Sequence, residues 1–550
     1  MKKLLLLWSL LFLSFSMFSQ DILWEKSYGG KQADYLFDVI STPDYGFILA
    51  GSSLSKKTGN KTEANRGDLD YWIWKMDEKG DLDWQKTLGG NGQDLLRSVV
   101  LTADGGYLLA GSSVSDYKKE DEKQYGDKKE ANRGNTDFWV IKLNAKGGEE
   151  WQKTIGGKGQ DDLNCVLRTT DGGYLLGGSS NSDANDEKKS RDYGGMDYWV
   201  VKIDAKGTIV WQQTFGGSYN DELRSMCATK DGGYIIGGSS NSPESGNKTE
   251  KQLGQSDYWI IKLDAKGNAQ WQKSIGGTGD DQLYALHIAK DGNLLLAGNS
   301  NSESGENKTK GNASGTDFWL VKLNMEDTTI LWQETYNIAK TDILTSLVEN
   351  DDATLLIGGY AQGEDVKSQE ARSKNALKHP EASGQGDKMK KGTADYVVIK
   401  LKENGDELWR KDVGSDGEDL LKKAIETRDG GYLLAGSSKG KASNDRMSGI
   451  GNSDFWVVKL KDKNKKPEAR NKVEAIPNPA TDYTNVIVGY EFTKGTATLV
   501  DLAGHMLQQF EITDRTVPID LQGYPEGIYI VNIKTDKGND GVKVIKKRRE

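Results

Sequence analysis

The feature that most constrains this chain is a unit of about 60 residues that recurs seven times. A tryptophan, typically within a W-Q-K-T-x-G-G segment, opens equivalent segments at spacings of 60, 67, 60, 60, 61 and 77 residues. These tryptophans are Trp24, Trp84, Trp151, Trp211, Trp271, Trp332 and Trp409. A second marker, Asp followed by Tyr or Phe and usually by Trp, stands at Asp70, Asp137, Asp197, Asp257, Asp317, Asp395 and Asp454. Repetition at this period indicates supersecondary units that stack and share a continuous core.

Each unit predicts four short strands. In the second unit an apolar strand at 94–100 is followed by the turn Asp104-Gly105-Gly106 and a second strand at 107–111. Asp-Gly between two apolar runs favours a hairpin, because glycine accepts the positive φ that tight turns require. A third strand, such as 197–203, and a fourth, which begins at Trp211 in that unit, complete the pattern. Both faces of the second and third strands are apolar, so these sheets are expected to be covered on two sides.

Four antiparallel strands per unit predict a β-propeller, whereas an open β-solenoid would require atypical capping repeats. The repeat region starts with a lone fourth strand at 21–28 and finishes with a third strand at 453–460. The N-terminal strand is therefore predicted to complete the last blade, which closes the ring and removes both free edges. We expect an all-β, seven-bladed propeller over residues 20–460. Its first strands are predicted to start near Asp34, Asp94, Asp162, Asp221, Asp281, Asp342 and Asp419.

Polar inserts between the second and third strands are the variable part of the repeat. Examples are 115–135, 181–195 and 361–393, and Asn-Lys-Thr recurs within the inserts at Asn60, Asn247 and Asn307. Their composition buries little apolar area, so we interpret them as surface loops. They share one face of the disc with the connections between blades, which carry Gly-Gly-x-x-x-Asp. That face is where a ligand is expected.

The aspartates of these connections are candidate ligand residues. They are Asp34, Asp94, Asp161, Asp221 and Asp281. A ring of carboxylates at the channel mouth would suit a cation or a sugar. The alternative is structural, since Asp commonly accepts hydrogen bonds from the backbone of its own turn. The leading tryptophans are likewise expected to pack within blades rather than to stack on a ligand.

The two ends of the chain predict export. Lys2 and Lys3 followed by an apolar run at 4–18 are typical of a signal peptide, with cleavage after Ser19. A membrane anchor is the alternative, but the run is short and polar residues follow at once. No other segment of the sequence is apolar enough to cross a bilayer. Residues 1–19 are thus predicted to be removed, and a charged linker at 461–473 is predicted to follow the repeats.

Residues 474–550 form a second predicted domain, a small Ig-like β-sandwich of alternating short strands. It opens with P-N-P-A-x-D, continues with G-x-Y-x-V and closes with K-V-I-K. The residues of these motifs are Pro477, Asn478, Pro479, Asp482, Gly527, Tyr529, Lys543 and Lys546. The domain resembles the type A sorting domain of the type IX (Por) secretion system of Bacteroidetes. The alternative is an adhesive Ig-like module that the mature protein retains.

The resemblance implies a route and partners. Such domains carry a folded passenger across the outer membrane by way of the type IX secretion machinery. A sortase-like protease then removes them, and the passenger is released or attached through lipopolysaccharide. The protein is accordingly expected to be secreted or held at the outer-membrane surface of a Gram-negative, Bacteroidetes-type cell.

Little in the sequence predicts chemistry. The three histidines, His287, His379 and His505, belong to different regions and are not expected to form a zinc site or a triad. No nucleophile-elbow, zincin or phosphate-loop motif is present, so we expect no cofactor, no metal and no enzyme activity. Asp264 to Trp271 is similar to the Trp-docking turn of quinoprotein dehydrogenases, but its Asp–Gly spacing departs from that pattern.

Composition narrows the partners further. Cys165 and Cys227 are expected to be free core thiols, with an inter-repeat disulfide as the alternative. The net charge of −9, with Lys and Arg spread along the chain, disfavours nucleic acid. We therefore expect a monomeric, non-catalytic module that binds an extracellular glycan or protein. A polysaccharide-processing enzyme with its site on the loop-rich face is the alternative.

Overall fold

The computed structural model describes residues 21–117, 119–120, 123–124, 126–184, 187–305, 307–312, 315–363, 393–463, 465 and 472–547. All regular structure in these residues is β, as predicted. The predicted signal peptide, most of the predicted linker and most of the 361–393 insert, with His379, lie outside the described residues. No helix in the described part of the chain is long and apolar enough to cross a membrane.

The strands of the repeat region are short and evenly spaced. In chain order they are β1 (Asp21–Tyr28), β2 (Asp34–Ser41), β3 (Phe47–Ser53), β4 (Asp70–Met76), β5 (Leu82–Leu88), β6 (Asp94–Leu101), β7 (Tyr107–Ser113), β8 (Lys119–Glu120), β9 (Lys123–Gln124), β10 (Asp137–Leu143), β11 (Glu149–Ile155), β12 (Asp161–Arg168), β13 (Tyr174–Ser180), β14 (Asp197–Ile203), β15 (Ile209–Phe215), β16 (Asp221–Ala228), β17 (Tyr234–Ser240), β18 (Asp257–Leu263), β19 (Ala269–Ile275), β20 (Asp281–Ile288), β21 (Leu294–Ser300), β22 (Asp317–Leu323), β23 (Ile330–Tyr336), β24 (Thr341–Glu349), β25 (Leu355–Gln362), β26 (Ala394–Leu401), β27 (Glu407–Val413), β28 (Asp419–Thr427), β29 (Gly431–Ser438) and β30 (Asp454–Lys461).

Except for the β8–β9 pair, these strands form four-stranded antiparallel sheets of the β-propeller type. We number the sheets 1 to 7 by their first strands, which are β2, β6, β12, β16, β20, β24 and β28. The third and sixth first strands start at Asp161 and Thr341, one residue earlier than predicted. In sheet 7 the outer strand is β1, which pairs with β30 from Tyr28 opposite Phe455 to Asp21 opposite Lys461. The prediction that the N-terminal strand completes the last sheet is confirmed.

Apolar side chains on both faces of each sheet pack against the neighbouring sheets. The third strand is fully buried in six of the seven sheets, and in sheet 7 only its last residue is exposed. Between sheets 1 and 2 the ring of Tyr71 lies 4.8 Å from that of Trp139, and the Tyr71 hydroxyl donates to the Trp139 carbonyl at 3.0 Å. Between sheets 7 and 1 the rings of Phe455 and Trp72 are 4.7 Å apart. The same aromatic pair therefore recurs at the junction of the last sheet with the first.

One buried lysine per sheet reinforces the hairpin turns. Lys142 on β10 is 3% exposed, and its ammonium lies 3.0 Å from the carboxylate of Asp104 in the first turn of the same sheet. The Asp-Gly turn thus supplies a counter-ion as well as a tight bend, since Gly105 adopts a φ of +80°. A buried cation needs such a partner to offset its desolvation.

The C-terminal domain is built from two sheets. Its strands are β31 (Val473–Ile476), β32 (Tyr483–Val488), β33 (Gly495–Asp501), β34 (Met506–Ile512), β35 (Thr516–Asp520), β36 (Gly527–Thr535) and β37 (Asn539–Lys546). One sheet is β31-β32-β35 and the other is β34-β33-β36-β37. Apolar side chains such as Val486 and Val531 form a core between them.

This domain contacts the hairpin turns of sheets 1 and 2. The Tyr483 hydroxyl donates to the Asp104 carbonyl at 3.3 Å, and Lys79 lies 3.1 Å from the Glu491 carboxylate. Arg515 pairs with Glu78 in the same region. Because strands are antiparallel, these turns and the polar inserts lie at opposite ends of the sheets. The C-terminal domain therefore leaves the insert-bearing end uncovered.

Candidate functional site

The candidate aspartates lie inside the junctions between sheets rather than on an exposed ring. Asp34, Asp94, Asp161, Asp221 and Asp281 are all 0% exposed. Asp94 is representative, because its Oδ2 accepts hydrogen bonds from the Gly90 amide at 2.8 Å and the Ser115 hydroxyl at 2.9 Å. The other four accept equivalent bonds from a glycine amide four residues before and a serine hydroxyl 21 residues after. This geometry is the one that the structural interpretation of the aspartates predicts.

A second aspartate faces each of these carboxylates across the Gly-Gly connection. A Cβ on Gly276 would lie 2.1 Å from Asp257 and 2.9 Å from Asp281, so only glycine fits between them. Burial, the largest cause, raises the pKa of Asp94 to about 6. It raises that of Asp70 to about 7, and the charge of Asp94 adds to the increase there. The paired carboxylates therefore favour their protonated forms within the fold.

The inserts are anchored by buried cations, which the interpretation as surface loops missed. In sheet 1 the ammonium of Lys61 donates to the Ser53 hydroxyl at 2.9 Å and to the Ser55 carbonyl at 2.8 Å. The preceding Asn60 accepts from the Gly29 amide at 2.8 Å. Burial lowers the pKa of Lys61 to about 8, although the charges of Asp34 and Asp70 oppose that decrease.

Equivalent buried cations occur in five other described inserts. They are Lys128, Lys188, Lys248, Lys308 and Arg446. The signal in the sequence was the recurrence of Asn-Lys-Thr at one offset, which a purely solvated loop does not require. In these six inserts the variable residues surround a buried cation that is held in place. We call this buried cation the insert latch.

The first strands of the sheets come together at the centre of the repeat region. Consecutive first strands contact one another, and β2 contacts both β6 and β28. Each carries a β-bulge at the same register, and the bulged residues are Phe37, Arg97, Asn164, Arg224, Tyr284, Thr345 and Lys422. All seven are partly exposed. We call these residues the central cluster.

The central cluster is rich in cations and aromatic rings. The Arg97 guanidinium lies 4.4 Å from the ring centre of Phe37, and that of Arg224 lies 5.7 Å from Tyr284. Burial lowers the pKa of Arg97, with the positive charge of Arg224 contributing, although Asp162 opposes the decrease. Burial and the charge of Arg97 lower the pKa of Lys422. These groups belong to sheets 2, 4 and 7, so their interactions cross the centre.

The remaining titratable candidates do not converge. His287 pairs with Glu349 at 3.1 Å, whereas His505 pairs with Asp501 at 2.9 Å in the C-terminal domain. Within the described ranges no group of three or more His, Cys, Asp or Glu side chains is placed to hold a metal ion. Cys165 and Cys227 are both free thiols. Burial raises the pKa of each to about 12, which disfavours the reactive thiolate.

The motifs of the C-terminal domain tie its first turn to its last strand. The Asn478 side chain donates to the Lys543 carbonyl at 2.6 Å and accepts from the Ile545 amide at 2.9 Å. Lys546 donates to the Tyr524 carbonyl at 2.7 Å, and Tyr529 donates to the Pro525 carbonyl at 2.6 Å. Each side chain therefore holds a backbone group that no strand partner satisfies.

Residues 474–547 match the family described as secretion system C-terminal sorting domain. The chain carries a type IX sorting domain. Its motif residues hold the opening turn and closing strand of that domain, and the repeat region is the passenger that such a domain exports. The sorting domain itself packs on the hairpin-turn end of the passenger.

Other comparisons are more distant. The chain is 24% identical over 202 residues to regulatory protein FlaEY of Caulobacter vibrioides, a match covering 35% of this chain and 21% of that protein. The chain thus spans about a fifth of the length of that curated relative. Sqt1 from Chaetomium thermophilum is a similar solved structure, with 12% identity, 85% and 97% of the two chains covered and a TM-score of 0.39.

PorZ, an essential surface component of the type IX secretion system of Porphyromonas gingivalis, is also similar. It is 10% identical, with 93% of this chain and 81% of that chain covered, at a TM-score of 0.20. Scores this low carry no functional information.

Proposed function

We propose that this protein is an exported, non-catalytic binding module, a closed seven-bladed propeller that meets its ligand at the insert-bearing end. The observation that carries the proposal is the placement of the sorting domain on the hairpin turns of sheets 1 and 2, opposite that end. Residues 20–460 form the passenger, joined by the 461–473 linker to a sorting domain at 474–550. After removal of residues 1–19 it reaches the cell surface or the medium as a monomer.

Ring closure is supported because the hydrogen bonds that join sheets 1 and 2 have equivalents between sheets 7 and 1. The Leu96 amide donates to the Ser52 hydroxyl of the preceding sheet at 2.9 Å, and the Leu36 amide donates in the same way to Ser437 of sheet 7, also at 2.9 Å. The Asp34 amide likewise donates to the Ser453 carbonyl at 2.8 Å. Sheets 7 and 1 are therefore joined by the contacts that join sheets 1 and 2, which is what a closed ring requires.

The burial of the junction aspartates supports a binding role rather than catalysis. Catalytic acids must reach the substrate, but the junction aspartates are buried and bonded to backbone and serine groups. The inserts instead offer a fixed scaffold with variable tips, which is the usual arrangement of recognition loops on a rigid fold. The type IX secretion machinery and the sortase-like protease are the partners during export.

An array of extracellular glycans and proteins, probed with the full chain, tests this proposal. We expect binding to one ligand class and no change in that ligand over time. A matched variant with shortened insert tips but intact Lys61 and Lys248 should stay folded and lose binding. Turnover of a polysaccharide, or binding that survives removal of the tips and of the exposed central residues, would contradict the proposal.

A further inference from the structure

Two cations of the central cluster make no direct ion pair within the described residues, although Asp162 and Glu418 act on them from further away. Arg224 pairs with Glu222, and Lys423, beside the cluster, pairs with Asp38 at 2.6 Å. Arg97 and Lys422, by contrast, make no hydrogen bond or ion pair within the part of the chain that the structure describes. Placing an unpaired cation in a partly desolvated site costs free energy, and two of them repel each other there. An anion that binds between the two cations offsets this free-energy cost.

Arg97 is oriented for bidentate recognition. Its guanidinium lies against Phe37, with 4.4 Å between the guanidinium carbon and the ring centre. Stacking on an aromatic face holds the guanidinium plane while its N–H groups remain available at the edge. A planar fork of donors matches the two oxygens of a carboxylate.

Three tyrosine side chains lie on first and second strands around the centre. Tyr35 is next but one to Phe37 on β2, Tyr284 is the bulged residue of β20, and Tyr360 on β25 interacts electrostatically with Tyr284. None of the three hydroxyls has a hydrogen-bond partner among the described residues, and all three side chains are partly exposed. The centre therefore presents neutral donors and acceptors as well as two cations.

From this combination we infer that the central cluster binds the carboxylate-bearing ring of an acidic sugar, with Arg97 and Lys422 on the carboxylate and the tyrosines on the hydroxyls. Hydroxyls spread around the centre suit several oxygens on one ring, whereas a bare inorganic anion uses one convergent cradle. The inference rests on the proposed function, because it names the ligand class of the same binding module.

Calorimetric titration of the full chain with glucuronate, glucose, acetate and sulfate tests the inference. We expect glucuronate to bind and the other three to bind at least tenfold more weakly. Arg97→Gln and Lys422→Gln should each weaken glucuronate binding by about tenfold to a hundredfold, the usual effect of losing a charge-assisted hydrogen bond. Lys266→Gln, at an exposed lysine in a hairpin turn of sheet 4, should change it less than about twofold.

The melting temperature separates recognition from a structural role. Neither cation has a hydrogen-bond or ion-pair partner to lose, so Lys422→Gln should melt no lower than the parent, and Arg97→Gln should melt only slightly lower through loss of its contact with Phe37. Tyr284→Phe keeps the ring, removes only an unpartnered hydroxyl, and should weaken glucuronate binding without unfolding the chain. Unchanged binding in all three variants, equal binding of acetate or sulfate, or no binding of glucuronate would overturn the inference.

Different experimental outcomes would contradict the inference and the proposed function. Array binding to a protein or to neutral glycans alone would leave the binding module standing and remove the acidic-sugar site. Turnover of a polysaccharide would remove the non-catalytic function, while glucuronate binding that depends on Arg97 would still support the site.

Discussion

Alanine at the junction aspartates tests whether these carboxylates are structural. In Asp94→Ala the Gly90 amide and the Ser115 hydroxyl lose their shared acceptor inside a buried junction. Two unsatisfied buried donors cost about 2–6 kcal/mol of unfolding free energy. Removing the carboxylate returns about 3 kcal/mol at pH 7, because its pKa is raised by about two units and each unit is worth about 1.4 kcal/mol. The net effect is centred on a loss of about 1 kcal/mol, within a range from a gain of ~1 to a loss of ~3 kcal/mol.

The same change at four junctions gives a larger signal. Asp94, Asp161, Asp221 and Asp281 are in separate sheets, so their effects should add to a loss of about 4 kcal/mol, and of ~12 kcal/mol at most. For a repeat region of about 440 residues that unfolds as one unit, 1 kcal/mol corresponds to roughly 1 °C. We therefore expect the melting temperature, followed by circular dichroism, to fall by about 4 °C, and by ~12 °C at most, in the quadruple variant.

A matched variant separates the hydrogen bonds from the charge. Asparagine at the four positions keeps the accepting oxygen and removes the buried charge, so it should melt above the parent at pH 7. An alanine variant that kept its melting temperature while losing ligand binding would refute the structural reasoning. It would show that these residues act on the ligand instead.

Three further outcomes follow from the junctions, the inserts and the sorting domain. The folded pKa values of about 7 for Asp70 and about 6 for Asp94 exceed the ordinary value of 3.8. The stability they contribute is present below about pH 4 and lost as pH rises through 6 to 7, so the melting temperature should be lower at pH 8 than at pH 5; a flat or rising profile argues against this. Lys248→Met should cost ~1–3 kcal/mol and speed proteolysis of its insert, whereas the exposed Lys251→Met should do neither; equal cleavage of both variants would contradict the latch. Asn478→Ala should reduce the fraction of chain at the surface or in the medium by immunoblot, and undiminished export would show that its two backbone bonds are dispensable.

The architecture was predictable because its signals are local and repeated. Apolar residues on both faces of the second and third strands, with Asp-Gly turns such as Asp104-Gly105, give each sheet without reference to distant contacts. The strand at 21–28 could be assigned to the last sheet because the final repeat lacks a fourth strand.

The insert latch was not predicted, because burial of a lysine depends on partners from elsewhere in the fold. Lys61 lies between Asp34 and Asp70, which come from the first and third strands of one sheet and lie at the junctions on either side of it. Composition alone shows only a polar segment. The repeated Asn-Lys-Thr was visible, but its carbonyl acceptors became apparent only in the folded chain.

The central cluster escaped prediction for a different reason. Arg97, Tyr284 and Lys422 occupy the same bulge position in three different sheets, but they are three different residue types. The repeat pattern of the sequence therefore does not reveal them. The aspartates recur in every sheet and stand out in the sequence, whereas the residues that differ between sheets gather at the centre. In a repeat protein, positions that vary within a fixed register are better candidates for specificity than positions that recur.

Chemical recovery of the bound ligand tests the proposed function most directly. The full chain is incubated with the glycan or protein that it captures, and the ligand is released and analysed by mass spectrometry after hours at an excess over the protein. A non-catalytic module predicts saturable binding and a ligand of unchanged mass and length. A shortened or otherwise modified ligand, formed in proportion to the protein added, would contradict the proposal.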